Sequence, residues 1–166
     1  MKKTIIITLL IIGGLVGLIW WGSFNQKSSS TVVSSNSKGG LLTAIETVYD
    51  FGQISMKDGD VTKEFIIKNP TDKDIFVPTV VTSCMCTKAF IVRPDGTTKG
   101  PYGMPSMGYV WPSDETVKAG GSMIIRVVYD PNAHGPAGVG FIDRFVTVTD
   151  EFKNELKLEI KATVTP

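Results

Sequence analysis

Cys84 and Cys86 are the two cysteines of the chain, with one residue between them, and His134 is its single histidine. In an extended strand, residues i and i+2 face the same way with Cα atoms about 6.5–7 Å apart, so both sulfurs can grip one ion. A disulfide prefers Cα atoms about 5.5–6 Å apart, so bridging this pair requires a local bend. Met85, between them, is a third soft donor, though on a strand it points the other way. Met104 and Met107 lie in a loop, as His134 does, and these loops can meet at one end of a β-sandwich. Thiolates and thioethers with one imidazole select Cu(I), and less readily zinc, over hard cations. The candidate metal ligands are therefore Cys84, Cys86, His134, Met104 and Met107, with copper(I) the candidate cofactor.

Plainer readings stand beside this one. Buried cysteines often serve as small apolar residues, and a Cys84–Cys86 disulfide is open to any protein outside the cytoplasm. His134 sits in Asp130-Pro131-Asn132-Ala133-His134-Gly135-Pro136, a turn-rich stretch where an exposed histidine is ordinary. Met104 and Met107 stand beside Gly103 and Pro105, where methionine commonly packs a loop.

Other chemistry is thin. One histidine leaves little for Ser/His/Asp catalysis, no general acid/base pair stands out, and no glycine-rich phosphate loop follows a strand. The expectation is a protein that is not an enzyme. Lys and Arg number 17 against 16 Asp and Glu, so there is no basic surplus for nucleic acid.

The elements that position these residues begin at a membrane. Lys2-Lys3 precede an apolar run from Thr4 to Trp21, which as a helix would span about 27 Å, close to the hydrocarbon thickness of a bilayer. Two lysines ahead of it predict a cytoplasmic N-terminus, with Trp20-Trp21 anchoring at the far interface. A cleaved signal peptide is the alternative. The long apolar run and the bulky Trp20-Trp21-Gly22-Ser23-Phe24, where a peptidase wants small side chains, favour an uncleaved signal-anchor over residues 1–21. No cysteine follows to carry a lipid. Residues 22–42, rich in Ser, Asn, Gly and Lys, read as a flexible linker reaching roughly 25 Å. The domain at 43–166 is then expected outside the cytoplasm of a single-pass membrane protein.

Within 43–166, short β-rich runs alternate with turn signals at 44–49, 61–68, 75–81, 87–92, 123–129, 141–149 and 156–164. The last alternates with period two, placing Leu156, Leu158, Ile160, Ala162 and Val164 on one face. No stretch keeps a helical period over 11 residues. The expected fold class is all-β, an immunoglobulin-like antiparallel β-sandwich of about seven strands preceded by the transmembrane helix and linker. Pro94 to Gly121 reads as one long loop folded back over an end of the sandwich.

Asp50-Phe51-Gly52-Gln53-Ile54, Phe65, Asn69 and Ser83-Cys84-Met85-Cys86-Thr87 resemble the bacterial family called domain of unknown function 1573. Ala119-Gly120-Gly121, Val127-Val128-Tyr129-Asp130-Pro131 and the last strand near Val164 follow in the family's order. Met85 stands where the family usually has glycine, and the 94–121 segment is longer than usual. The resemblance implies an exported immunoglobulin-like sandwich, similar to domains of cilia and centrosome proteins, and carries no activity with it. Two function classes follow. One is a non-catalytic interaction or structural module for a partner in the cell envelope. The other is a soft-metal or thiol-redox domain using Cys84-Met85-Cys86.

Overall fold

A computed structural model describes residues 42–106 and 109–166; the expected anchor at 1–21, the linker up to residue 41 and Met107 lie outside them. Among the described residues ten strands form two five-stranded sheets. The first holds, in spatial order, β1 (Thr43–Ala44), β3 (Val61–Lys68), β8 (Ser122–Tyr129), β5 (Thr87–Val92) and β6 (Thr98–Tyr102). The second holds β2 (Val48–Ser55), β10 (Glu155–Thr165), β9 (Gly140–Thr149), β4 (Ile75–Thr82) and β7 (Pro112–Val117). Among the described residues the helical pieces are two 3-10 turns, Met56–Asp58 and Gly135–Gly138. No described helix is long and apolar enough to cross a membrane.

Alternation supplies the core. β10 buries Leu156, Leu158, Ile160, Ala162 and Val164, the row expected from its period of two. β8 faces it from the other sheet with Met123, Ile125, Val127 and Tyr129, and β3 adds Phe65 and Ile67. Burying such side chains contributes about 1.5–3 kcal/mol each before the entropy of ordering them is set against it.

Three expectations are corrected. The described residues hold ten strands rather than about seven, because the single run expected at 44–49 is two elements, β1 and β2, and two more strands lie in the expected long loop. The segment from Pro94 to Gly121 is not one loop, because β6 and β7 lie inside it. β6 pairs with β5 through Ala89↔Tyr102 and Val92↔Thr98, and β7 with β4 through Ile75↔Val117 and Thr79↔Pro112. Both are edge strands, where a polar sequence needs only one hydrogen-bonded neighbour and one partly covered face. Ser113, fully buried, donates from Oγ to the Val77 carbonyl at 2.6 Å and ties β7 down. The sandwich is also not wholly antiparallel, since β2 runs parallel to β10. That pairing bulges where Lys161↔Asp50 gives way to Thr163↔Gln53. Asp50 Oδ1 accepts the Gly52 N–H at 2.7 Å there, and Gly52 has φ of 69°, a conformation that favours glycine. The Asp-Phe-Gly triplet is thus the bulge that lets β2 follow the last strand.

Strand registers define two poles. β3 and β5 begin, and β8 ends, at one pole, where Val61 and Thr87 both stand opposite Tyr129. The end of β4 and the start of β9 lie there too. Four connections cross from sheet to sheet at this pole: β2 to β3, β4 to β5, β6 to β7 and β8 to β9. β1 pairs at the opposite pole, with Thr43 beside Lys68. Asn69 fastens that far pole: its Nδ2 donates to the carbonyls of Lys73, Val117 and Lys118, and its Oδ1 accepts from the Thr71 N–H and hydroxyl.

Candidate functional site

Ser83-Cys84-Met85-Cys86 is the whole of the β4–β5 crossover. After Thr82 the chain leaves the second sheet, held by Ser83 N–H donating to Phe145 O at 2.9 Å and Phe145 N–H donating to Ser83 Oγ at 2.9 Å. It then turns, with Thr87 N–H donating to Cys84 O at 3.1 Å, and joins the first sheet. Cys-x-Cys is therefore bent rather than extended. The Cα atoms of Cys84 and Cys86 are 5.3 Å apart and the sulfurs stand at disulfide distance. Met85 at the apex is 65% exposed and points into solvent.

The two sulfurs differ in their surroundings. Cys84 is partly exposed, and its Sγ lies 3.2 Å from Nε2 of the exposed His134, which the β8–β9 crossover brings alongside. That crossover is tied to the first by Asp130 N–H donating to Cys86 O at 2.9 Å. Asn132 also braces it, with its N–H donating to Asp130 Oδ1 and its Nδ2 donating to Met56 O. Cys86 is only 1% exposed. Its sulfur is met by Arg144, whose Nε lies 3.4 Å away and donates toward it, and by the Thr87 hydroxyl at 3.7 Å.

Arg144 is the residue that sequence reasoning missed. It pairs across β10 with Ile160 and falls between Ile142 and Val146, all three of them buried, so it occupies the inward row of β9. At this pole β4 has already left the sheet, and the Cys-x-Cys turn fills the space into which the guanidinium reaches. A charged residue in the inward phase of Ile142, Val146 and Val148 was the available signal.

Of the five candidate ligands, the structure gathers Cys84, Cys86 and His134, whose ligand atoms all lie within 4.8 Å of one another. Met104 is 50% exposed on the loop after β6, where the neighbouring Gly103 carbonyl accepts the Thr82 N–H at 3.1 Å. Met107 lies outside the described residues. The trio could hold a metal ion, and it contains no carboxylate.

Fold and site define an all-β sandwich of two five-stranded sheets with a Cys/Cys/His cluster at one pole. The model of a family described as a protein of unknown function (DUF1573) matches residues 42–97, a stretch that includes the Cys-x-Cys turn. The resemblance read from the motifs holds over those residues. No curated protein matches the chain.

Among solved structures, a protein of unknown function from Porphyromonas gingivalis is 16% identical with a TM-score of 0.54, covering 81% of this chain and 51% of that one. The present chain thus spans about half its length. A family 123 glycoside hydrolase from Clostridium perfringens is 8% identical with a TM-score of 0.51, over 72% and 23% of the two chains. The ASH/PapD-like domain 7 of human CEP192 is 12% identical with a TM-score of 0.48, over 83% and 96%. At these identities the first two likenesses concern the fold alone.

Proposed function

We propose that this protein is a membrane-tethered module outside the cytoplasm whose sandwich presents a Cys84–Cys86 thiol–disulfide couple to a partner in the cell envelope. The tether is the 1–21 segment with the linker that follows it, up to residue 41, since Leu42 is already buried in the core of the sandwich. The module is consumed stoichiometrically and hydrolyses nothing. One observation carries the reading: the sulfurs stand at disulfide distance in unequal settings, Cys84 partly exposed beside His134 and Cys86 buried beside Arg144.

The exchange follows from that inequality. A thiolate of the partner's dithiol attacks the accessible Cys84 sulfur, forming a mixed disulfide and expelling the Cys86 thiolate. The Arg144 guanidinium faces the negative charge as it develops, a charge-assisted contact stronger than a neutral one. The partner's second thiolate then attacks its own sulfur in the mixed disulfide and expels Cys84. Partner dithiol and Cys84–Cys86 disulfide become partner disulfide and Cys84/Cys86 dithiol, with two electrons and two protons transferred. His134, in contact with the Cys84 sulfur, is placed to return a proton to it.

The test uses full-length protein in detergent with a small thiol disulfide such as oxidised glutathione. Cys86→Ser, which leaves the accessible thiol, is expected to form a mixed disulfide at least tenfold faster than Cys84→Ser. Equal rates, or a wild-type disulfide that excess dithiol leaves intact, would overturn the reading.

A further inference from the structure

The same turn serves two oxidation states. We infer that reduction converts this pole into a binding site for one Cu(I) ion, held by the sulfurs of Cys84 and Cys86 and by Nε2 of His134, and that the disulfide closes it. The inference rests on the Cys84–Cys86 couple being reducible. Reduction by two equivalents of an external thiol gives two Cys thiols and one external disulfide. Binding then releases both thiol protons to solvent as the two thiolates and the imidazole take up the cation.

Geometry favours the site. With metal–sulfur bonds of about 2.3 Å and a metal–nitrogen bond of about 2.0 Å, three donors around one ion stand roughly 3.5–4 Å apart. The Cys84 sulfur and His134 Nε2 are already 3.2 Å apart, and all three ligand atoms lie within 4.8 Å. Once the S–S bond is gone, small rotations of side chains within one turn suffice. The backbone around them is pinned by the bonds from Thr87 N–H to Cys84 O and from Asp130 N–H to Cys86 O.

Ligand chemistry and charge select the ion. Two thiolates and an imidazole without a carboxylate disfavour calcium, magnesium and manganese, which prefer oxygen. The choice between Cu(I) and Zn(II) falls to Arg144, whose Nε lies 3.4 Å from the Cys86 sulfur. Two thiolates and one guanidinium sum to a single negative charge, which a monovalent cation neutralises. A divalent cation would leave a net positive charge beside the half-buried guanidinium, where low polarity makes it costly. Three donors also satisfy Cu(I), whereas structural zinc takes four.

The experiment uses full-length protein in detergent under anaerobic conditions. After treatment with excess dithiol and desalting, free thiols are counted, and two per chain are expected. Cu(I) is then offered from the chromophoric chelator bicinchoninate, and Zn(II) from a chromophoric zinc indicator. Reduced wild type should take one Cu(I) per chain and oxidised wild type none. His134→Ala should bind at least tenfold more weakly, and Cys84→Ser/Cys86→Ser should not compete. Arg144→Met should narrow the preference for Cu(I) over Zn(II). X-ray absorption of the loaded wild type, which depends on no variant folding, should show two sulfur neighbours and one nitrogen. Two free thiols with copper left on the chelator, or a copper shell lacking the two sulfurs, would overturn the metal site and leave the redox couple standing. A thiol count of zero after dithiol treatment would overturn both, at the redox step.

Discussion

Arg144 and Cys86 meet across the gap between the sheets: the arginine enters from the inward row of β9, and its Nε lies 3.4 Å from the sulfur of a cysteine that is 1% exposed. Its terminal Nη1 turns back to donate to the Asp143 carbonyl at 2.8 Å, which fixes the plane of the guanidinium. A cation half buried in a sandwich core costs desolvation, and the sulfur it faces is what turns that cost to use.

Replacing Arg144 with Met keeps much of the side chain's bulk and removes its charge. Reduction of the disulfide by dithiothreitol is expected to slow about tenfold, equivalent to about 1.4 kcal/mol in the barrier. Stopped-flow counting of released thiols checks this, and an unchanged rate would remove Arg144 from the exchange.

At the far pole, Asn69→Ala removes five hydrogen bonds of a buried side chain and takes one donor from each of three backbone carbonyls, although Lys118 O keeps the Gly121 N–H at 2.8 Å and Lys73 O keeps the Thr71 hydroxyl at 3.0 Å. A loss of about 2–4 kcal/mol is expected in urea unfolding. The disulfide reduction rate should stay at the wild-type value, because the two poles share no hydrogen bond. A loss below about 1 kcal/mol would show that the carbonyls find other donors.

Asp143 gives a pH signature. Its Oδ1 is buried without a hydrogen-bond partner, and burial, followed by the nearby Glu159 carboxylate, pushes its pKa up. The folded state therefore holds the proton to higher pH than the unfolded chain does. The sign follows: this group's contribution is favourable below the ordinary carboxylate range and is lost as pH rises through the raised folded value. Asp143→Asn, which mimics the protonated acid, should be more stable than wild type at neutral pH and equal to it at acid pH. Thermal unfolding of both proteins across that range is the check, and a gap that widens on acidification would contradict the assignment.

Gly52→Ala places a Cβ where φ is 69°. Since no atom beyond its two chain neighbours lies within 4 Å of that Cβ, backbone strain alone sets the cost, about 1 kcal/mol. A melting temperature unchanged within a degree would mean that the bulge relaxes.

How far these features could be read in advance depends on their chemistry. Leu156, Leu158, Ile160, Ala162 and Val164 announced their face because β10 is covered on one side and wet on the other. β6 and β7 did not, since Thr-Lys-Gly-Pro-Tyr and Pro-Ser-Asp-Glu-Thr-Val are edge strands whose pairing is decided by neighbours elsewhere in the chain. Cys84, Cys86 and His134 were legible as scarce residue types, and the structure brings them together. Their bend was not, because it comes from β4 and β5 belonging to different sheets. Arg144 escaped notice for the same reason: only the crossing turn reveals that an inward cation has a sulfur to meet.

The position of β1 has a bearing on access. The first described strand joins the sandwich beside Lys68, a full length of β3 away from Val61 and the crossover pole. Whatever is covalently joined ahead of Leu42 is therefore attached at the end of the domain remote from Cys84. The junction at Leu42 and the sulfur of Cys84 thus stand at opposite ends of the sandwich, and a reagent reaching Cys84 meets a surface that the junction itself does not occupy.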